Sequence, residues 1–210
     1  MQTIAIGSKG DDVKTLQNAL HLVADGVFGK LTREAVVAFQ KSNGLIPDGI
    51  VGQSTWKALL KDWPQKSKRR IDYIIVHCSD TPEGRNNTID DIRRWHTLPK
   101  PQGNGWAEIG YNYVIHLDGS VHVGRNVDKI GAHCEGYNAN SIGICYIGGK
   151  TADMKKNKDT RTPKQKEALL KLLKDLRKLY PNAKIVGHCD LDKKGKTCPN
   201  FNAKEEYKNI

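Results

Sequence analysis

Two apolar runs in this 210-residue chain end alike: residues 74–78 (IIVHC) and 184–189 (KIVGHC) each deliver a histidine and then a cysteine. Strand ends are where side chains project into clefts, and imidazole and thiolate are donors that suit zinc. Adjacent residues of a strand point to opposite faces, so His77 and Cys78 cannot serve one site, nor can His188 and Cys189. Cys198 follows His188 by ten residues, across a Lys/Gly loop (DLDKKGKTCPN) able to fold back. His77, His188 and Cys198 together would give a zinc ion three ligands and leave its fourth position to water, the arrangement of a catalytic site. The same spacing also allows two core histidines and an ordinary buried cysteine.

The other histidines offer less. With Asp118-Gly119 as a two-residue hairpin turn, residue 116 faces 121 and 115 faces 122, so His116 and His122 point to opposite sides and cannot share an ion. They read as surface or half-buried sheet residues; His21, in the N-terminal region, and His96, after Trp95 at a helix end, read the same way. The five cysteines are an odd number without a Cys-x-x-Cys pair, which argues against a disulfide framework. Cys78, Cys134, Cys145 and Cys189 are expected reduced and mostly buried. No H-E-x-x-H motif supplies a helical glutamate base.

The positioning elements follow from periodicity. Residues 71–78 and 142–147 read as buried strands. Residues 111–117 and 120–123 read as a hairpin, and 184–187 as a last short strand. Thr88 with Asp91 three residues on forms a capping box ahead of a helix through Trp95. Thr162, Pro163 and Gln165 start the clearest helix, with an apolar face of Ala168, Leu169, Leu172, Leu173, Leu176 and Leu179, and Pro181 stops it. The first sixty residues differ. DGVFGKLTREAV from Asp25 and DGIVGQSTWKAL from Asp48 share the frame D-G-x-x-G-x-x-T, with glycines placed for turns of positive φ before a helical pattern. Val13, Leu16 and Leu20, then Val36, Phe39 and Gln40, then Trp56, Leu59 and Leu60 recur at helical spacing. Three short helices over residues 1–60 are predicted, joined by a basic, solvated linker at 61–70 (KDWPQKSKRR) to an α/β domain at 71–210.

No apolar run approaches the ~20 residues of a bilayer span, and the N-terminus lacks the pattern of a secretory signal. Lys and Arg number 34 against 23 Asp and Glu, a net charge of +11, which biases the chain toward polyanions. That charge divides as +1 on residues 1–60, +4 on the linker and +6 on the remainder. The basic residues have neither interleaved aromatics nor a groove-reading motif, so a nucleic-acid partner is not expected.

These residues also carry a resemblance. VHCSDTPEG around His77, IRRWH ending at His96, EIGYNYVIHLDGSVHVGR, GAHCEGYNANSIGICYIGG and the closing GHCD…GKTCPNF are similar, in order, to the type-2 N-acetylmuramoyl-L-alanine amidases. That family includes phage endolysins and animal peptidoglycan-recognition proteins. The doubled turn and the A-x-x-A/V-F-Q pattern at residues 35–40 resemble the type-1 peptidoglycan-binding module. The resemblance implies an α/β zinc amidase domain, a mixed central β-sheet flanked by helices, preceded by a small three-helix peptidoglycan-binding domain. It implies Zn²⁺ on His77, His188 and Cys198, the last being cysteine in the phage-lysozyme branch and aspartate in many relatives. It places the family's catalytic tyrosine on Tyr111 and its lysine on Lys196, with Lys193 and Lys194 as neighbours in a loop somewhat longer than in compact phage enzymes. His133 is given a substrate contact.

The implied reaction is hydrolysis of the amide between N-acetylmuramic acid and L-alanine in bacterial peptidoglycan, with Tyr111 and Lys196 stabilising the oxyanion or passing protons to the leaving amine. A monomer is expected, made in the cytoplasm and acting on the wall after release through a separate pore, as for a phage or prophage endolysin. Alternatives are a Cys–His hydrolase using Cys78, Cys134 or Cys189, and a non-catalytic wall-binding protein on the same fold.

Overall fold

The computed structural model describes residues 2–20, 22–59 and 64–210. His21, Leu60 and linker residues 61–63 lie outside them. The chain forms two compact units, residues 1–65 and 66–210. Among the described residues no helix is long and apolar enough to cross a membrane.

The smaller unit holds three helices: α1 (Asp11–Ala19), α2 (Lys30–Ser42) and α3 (Gln53–Leu59). Their apolar faces meet in a core of Ile4, Val13, Leu16, Phe28, Val36, Val51 and Trp56. The D-G-x-x-G-x-x-T frame proves to be one half of a duplicated device. The Gln17 amide donates to Asp25 Oδ1 (2.7 Å), Val27 O (3.1 Å) and Thr32 Oγ1 (3.2 Å), and its Oε1 accepts from Gly26 N (2.9 Å). Gln40 repeats this with Asp48 Oδ1 (2.9 Å), Ile50 O (2.9 Å), Thr55 Oγ1 (3.1 Å) and Gly49 N (2.9 Å). A buried amide thus fastens the turn after each helix to the start of the next. Only the first glycine of each copy needs its freedom: Gly26 and Gly49 have φ +76°, whereas Gly29 caps α2 at φ −91°.

The larger unit is built on a five-stranded mixed sheet. In chain order its elements are β1 (Tyr73–Cys78), β2 (Thr81–Pro82), α4 (Ile89–Thr97), β3 (Tyr113–Ile115), β4 (Val121–Val123), β5 (Ser141–Tyr146), β6 (Gly149–Lys150), α5 (Pro163–Leu179), β7 (Lys184–Gly187) and α6 (Ala203–Glu206). The sheet order is β4-β3-β5-β1-β7, while β2 and β6 pair separately. β1 lies parallel to β5 and β7, and β3 lies parallel to β5 and antiparallel to β4. Both predicted capping boxes form, at Thr88/Asp91 and Thr162/Gln165. Ile89 and Ile92 of α4 pack with Val114, Cys145 and Ile147 on the sheet. Leu169, Leu172, Leu173 and Leu176 of α5 are fully buried. The buried Gln165 amide donates to Ile115 O (3.1 Å) and Ile147 O (3.0 Å), fastening α5 to the ends of β3 and β5.

Two expectations change. The hairpin turn holds three residues, not two: Ile115 pairs with Val121 and Val114 with His122. Gly119, at φ +84°, donates to His116 O (2.9 Å), and Asp118 Oδ1 accepts from Ser120 N (2.9 Å). This is a type I turn closed by a bulge glycine, whose twist suits the strands. A one-residue slip moves side chains to the other face, so His116 and His122 share a side and stack, ring centroids 3.9 Å apart. The second change is in the linker. Residues 66–70, expected to be solvated, belong to the larger unit. Ser67 is buried, and Arg69 donates to the carbonyls of Val127, Asn138, Ala139 and Ser141.

Candidate active site

The interior strand β1 brings His77 to its end between β5 and β7, and β7 runs into a single 3-10 turn, His188–Asp190, closed by Gly187 N donating to Asp190 Oδ2 (2.7 Å). The loop that follows is stitched back to its own beginning by Cys189 N donating to Cys198 O (2.7 Å). Beyond it, Tyr146 Oη donates to Pro199 O (2.7 Å) and Asn200 Nδ2 to Gly149 O (2.6 Å). Cys198 is thereby held against β1, where Cys78 N donates to its Sγ at 3.2 Å.

The donor atoms of His77, His188 and Cys198 all lie within 4.8 Å of one another. His77 Nδ1 is 3.9 Å from Cys198 Sγ, and the His77 and His188 ring centroids are 4.7 Å apart. Burial, then the neighbouring His133, His188 and Lys196 charges, hold His77 well below the ordinary imidazole value. Burial and Lys196 lower His188 in the same way. Both rings are therefore neutral near pH 7, as a ligand must be. The Cys78 thiol and burial push the Cys198 thiol up. A cation beside it would reverse that preference, and the Cys78 N–H already favours the thiolate. Two imidazoles and one thiol converging beside an open cleft fit a tetrahedral zinc ion with one position left free.

The cleft has a volume of about 1230 Å³, and Tyr111, His133, His188, Lys196 and Cys198 are among its lining residues. Half-buried Tyr111 sits with its ring centroid 5.1 Å from that of His77. Burial pushes its phenol well up, so at neutral pH it is a hydrogen-bond donor. Lys196 is exposed, and its backbone N–H donates to Asp192 Oδ2 (3.0 Å). Lys193 and Lys194 line the same cleft, with Lys194 Nζ paired to Glu135 (3.0 Å). His133 Nδ1 stands 3.1 Å from His77 Nε2, and its Nε2 is 3.3 Å from Ser141 Oγ. Burial pushes His133 down to about 3.

Sequence reasoning passed over His96. It lines the cleft, its ring centroid 4.8 Å from Trp106 and 5.5 Å from Tyr111, and its Nδ1 accepts from Gly110 N (3.0 Å). Its position at the last turn of a capped helix, next to a tryptophan, was the available signal. All five cysteines are free thiols, with Cys78, Cys134 and Cys145 buried.

The profile of the N-acetylmuramoyl-L-alanine amidase family matches residues 67–201, and that of a peptidoglycan binding domain matches residues 9–59. The endolysin of Enterobacteria phage K11 is 38% identical over 135 residues, covering 64% of this chain and 83% of that protein. Among solved structures, the N-acetylmuramoyl-L-alanine amidase LysC from Clostridium intestinale superposes with a TM-score of 0.52 at 28% identity, over 66% of this chain and 82% of that one. Drosophila PGRP-LB superposes with a TM-score of 0.53 at 26% identity, over 71% and 91%. The chain thus belongs to the N-acetylmuramoyl-L-alanine amidase family, with a peptidoglycan-binding domain ahead of the amidase domain.

Proposed function

We propose that this protein hydrolyses the amide joining N-acetylmuramic acid to L-alanine in peptidoglycan, in a zinc-dependent reaction that lyses the cell wall in the manner of a phage endolysin. The observation that carries the reading is the convergence of His77, His188 and Cys198 within 4.8 Å beside the cleft. Zinc bound by these three residues supplies Lewis acidity toward the amide carbonyl and toward water.

The chain's own groups do the rest. Tyr111, protonated at neutral pH, donates a hydrogen bond to charge developing on the carbonyl oxygen. Lys196 adds positive charge at the same rim and supplies a proton to the departing amine. His133 is the wall residue proposed to touch substrate. Both its nitrogens face protein partners, so its ring carbons make that contact. Stem-peptide carboxylates suit the lysines of the 193–196 loop, and the small unit retains the chain on the polymer. A nucleophile at Cys134 or Cys189 fits less well, since burial pushes both thiols up; the Cys78 thiol is lowered by the Cys198 sulfur but is buried against it.

The deciding measurement is mass spectrometry of digested peptidoglycan with and without a chelator. Free stem peptides beginning with L-alanine, lost on chelation and restored by zinc, are the expected products. Cleaved glycan strands or peptide cross-links would refute the amidase reading, and indifference to chelator the zinc.

A further inference from the structure

Counting hydrogens behind His77 settles which of its nitrogens faces the other ligands. Ser141 Oγ donates its one hydrogen to Tyr137 O at 2.8 Å. Toward His133 Nε2, 3.3 Å away, it can then only accept. His133 therefore carries its hydrogen on Nε2 and presents a bare Nδ1 to His77 Nε2 at 3.1 Å. That makes Nε2 of His77 the N–H and leaves the Nδ1 lone pair directed toward Cys198 Sγ, 3.9 Å away.

We infer that His133 and Ser141 are positioning residues: the chain His77 Nε2–H to His133 to Ser141 to the Tyr137 carbonyl fixes the tautomer and ring orientation of His77, so that Nδ1 is the metal-binding atom. This rests on the zinc reading above.

The surroundings are built for that chain. Asn138 Oδ1 accepts from both His133 N (2.8 Å) and Cys134 N (2.9 Å). Arg69 fastens the same segment through the carbonyls of residues 138, 139 and 141. Gly143, in the middle of β5, leaves room for the ring: a Cβ there would lie 2.6 Å from His133 Cδ2. A glycine inside a strand otherwise weakens it, and close approach of another group is a reason to have one. Ser141 is fully buried and His133 nearly so.

The test is zinc affinity of the full-length protein, by competition with a chromophoric chelator, for native protein, His133→Ala, His133→Asn and Ser141→Ala. Melting of the zinc-free forms reports whether each variant folds. Loss of an outer hydrogen-bond partner of a ligating histidine typically costs ~10–100-fold in affinity, and His133→Ala is expected in that range. His133→Asn keeps an acceptor near the Nδ1 position and is expected to recover most of the loss; Ser141→Ala is expected to lose several-fold. The visible absorption of the Co²⁺-loaded protein should shift in His133→Ala and return toward native in His133→Asn, which a merely structural role would not produce. Should His133→Ala not fold, His133→Asn and Ser141→Ala decide: near-native affinity in the first with a loss in the second supports the chain. Native-like affinity and Co²⁺ spectrum in His133→Ala, or in Ser141→Ala where that variant alone decides, overturn it while sparing the zinc reading. A native protein that binds no zinc overturns both.

Discussion

His77 Nδ1 and Cys198 Sγ, 121 residues apart in the chain, lie 3.9 Å from each other. The contact joins the interior strand β1 to a loop that leaves the edge strand β7 beside it. Cys78 N–H, Pro199 O and Asn200 Nδ2 each carry a bond that holds the loop there. Of these only the Cys78 bond reaches the Cys198 sulfur; the Pro199 and Asn200 bonds, with Cys189 N donating to Cys198 O, hold the loop without it, and a serine Oγ can accept from Cys78 N in its place.

Cys198→Ser is accordingly expected to fold, with zinc-free melting within a few degrees of native, and to lose zinc affinity by more than the ~10–100-fold typical of removing a ligand's hydrogen-bond partner. Isothermal titration with zinc and melting of the zinc-free protein check the two halves separately. Retained affinity would remove Cys198 from the ligand set.

Tyr111→Phe separates chemistry from metal binding. The ring keeps its packing beside His77 and His96 while the donor is lost. Turnover on peptidoglycan should fall about 10²–10³-fold with zinc affinity unchanged. Full activity in this variant would take Tyr111 out of the mechanism.

The sequence carried the ligand candidates because β-strand alternation and the strand-end histidines are local signals, and local signals also set both capping boxes, α5 and the last strand. What it hid was relational. The hairpin register turned on whether Asp118-Gly119 formed a two-residue turn or part of a bulged three-residue one, and one residue moved His116 to the side of His122. His133 behind His77 depends on Gly143 in a different strand, a fact about two chain segments that no window contains. Composition alone makes Ser67 and Arg69 linker, yet their bonds go to residues some sixty or seventy positions away. Gln17 was legible in principle: it stands in the same place relative to Asp25 and Thr32 as Gln40 does to Asp48 and Thr55.

Those two glutamines carry the third prediction. Gln17→Ala or Gln40→Ala leaves the buried N–H of Gly26 or Gly49 without its amide acceptor, and an unsatisfied buried group costs about 1–3 kcal/mol. Differential scanning calorimetry of the full chain should show a lower transition for the smaller unit, with the larger unit's transition unmoved. Equal losses from the two variants are expected because the networks match bond for bond. A variant with native melting would mean that water replaces the amide at no cost.

His116 gives the acid dependence of the zinc-free fold. Burial first, and His122 second, push it down to about 4 from an ordinary 6.5, against the opposing pull of Asp118, Asp90 and Asp91. Its Nε2 is occupied as an acceptor for Ile89 N (2.9 Å) at the start of α4, which the neutral ring alone can satisfy. Between those two values the unfolded chain holds a proton that the folded one refuses, so stability rises with pH across that window. The contribution is complete above about pH 6.5 and drains away as pH falls toward 4. Down to pH 4.5 it amounts to about 2 kcal/mol. Urea unfolding of zinc-free native protein and His116→Gln at pH 7 and pH 4.5 measures it: glutamine can keep the acceptor and has no proton to gain. The native protein should lose more stability than the variant over that interval, and parallel losses would show that His116 is not held neutral by the fold.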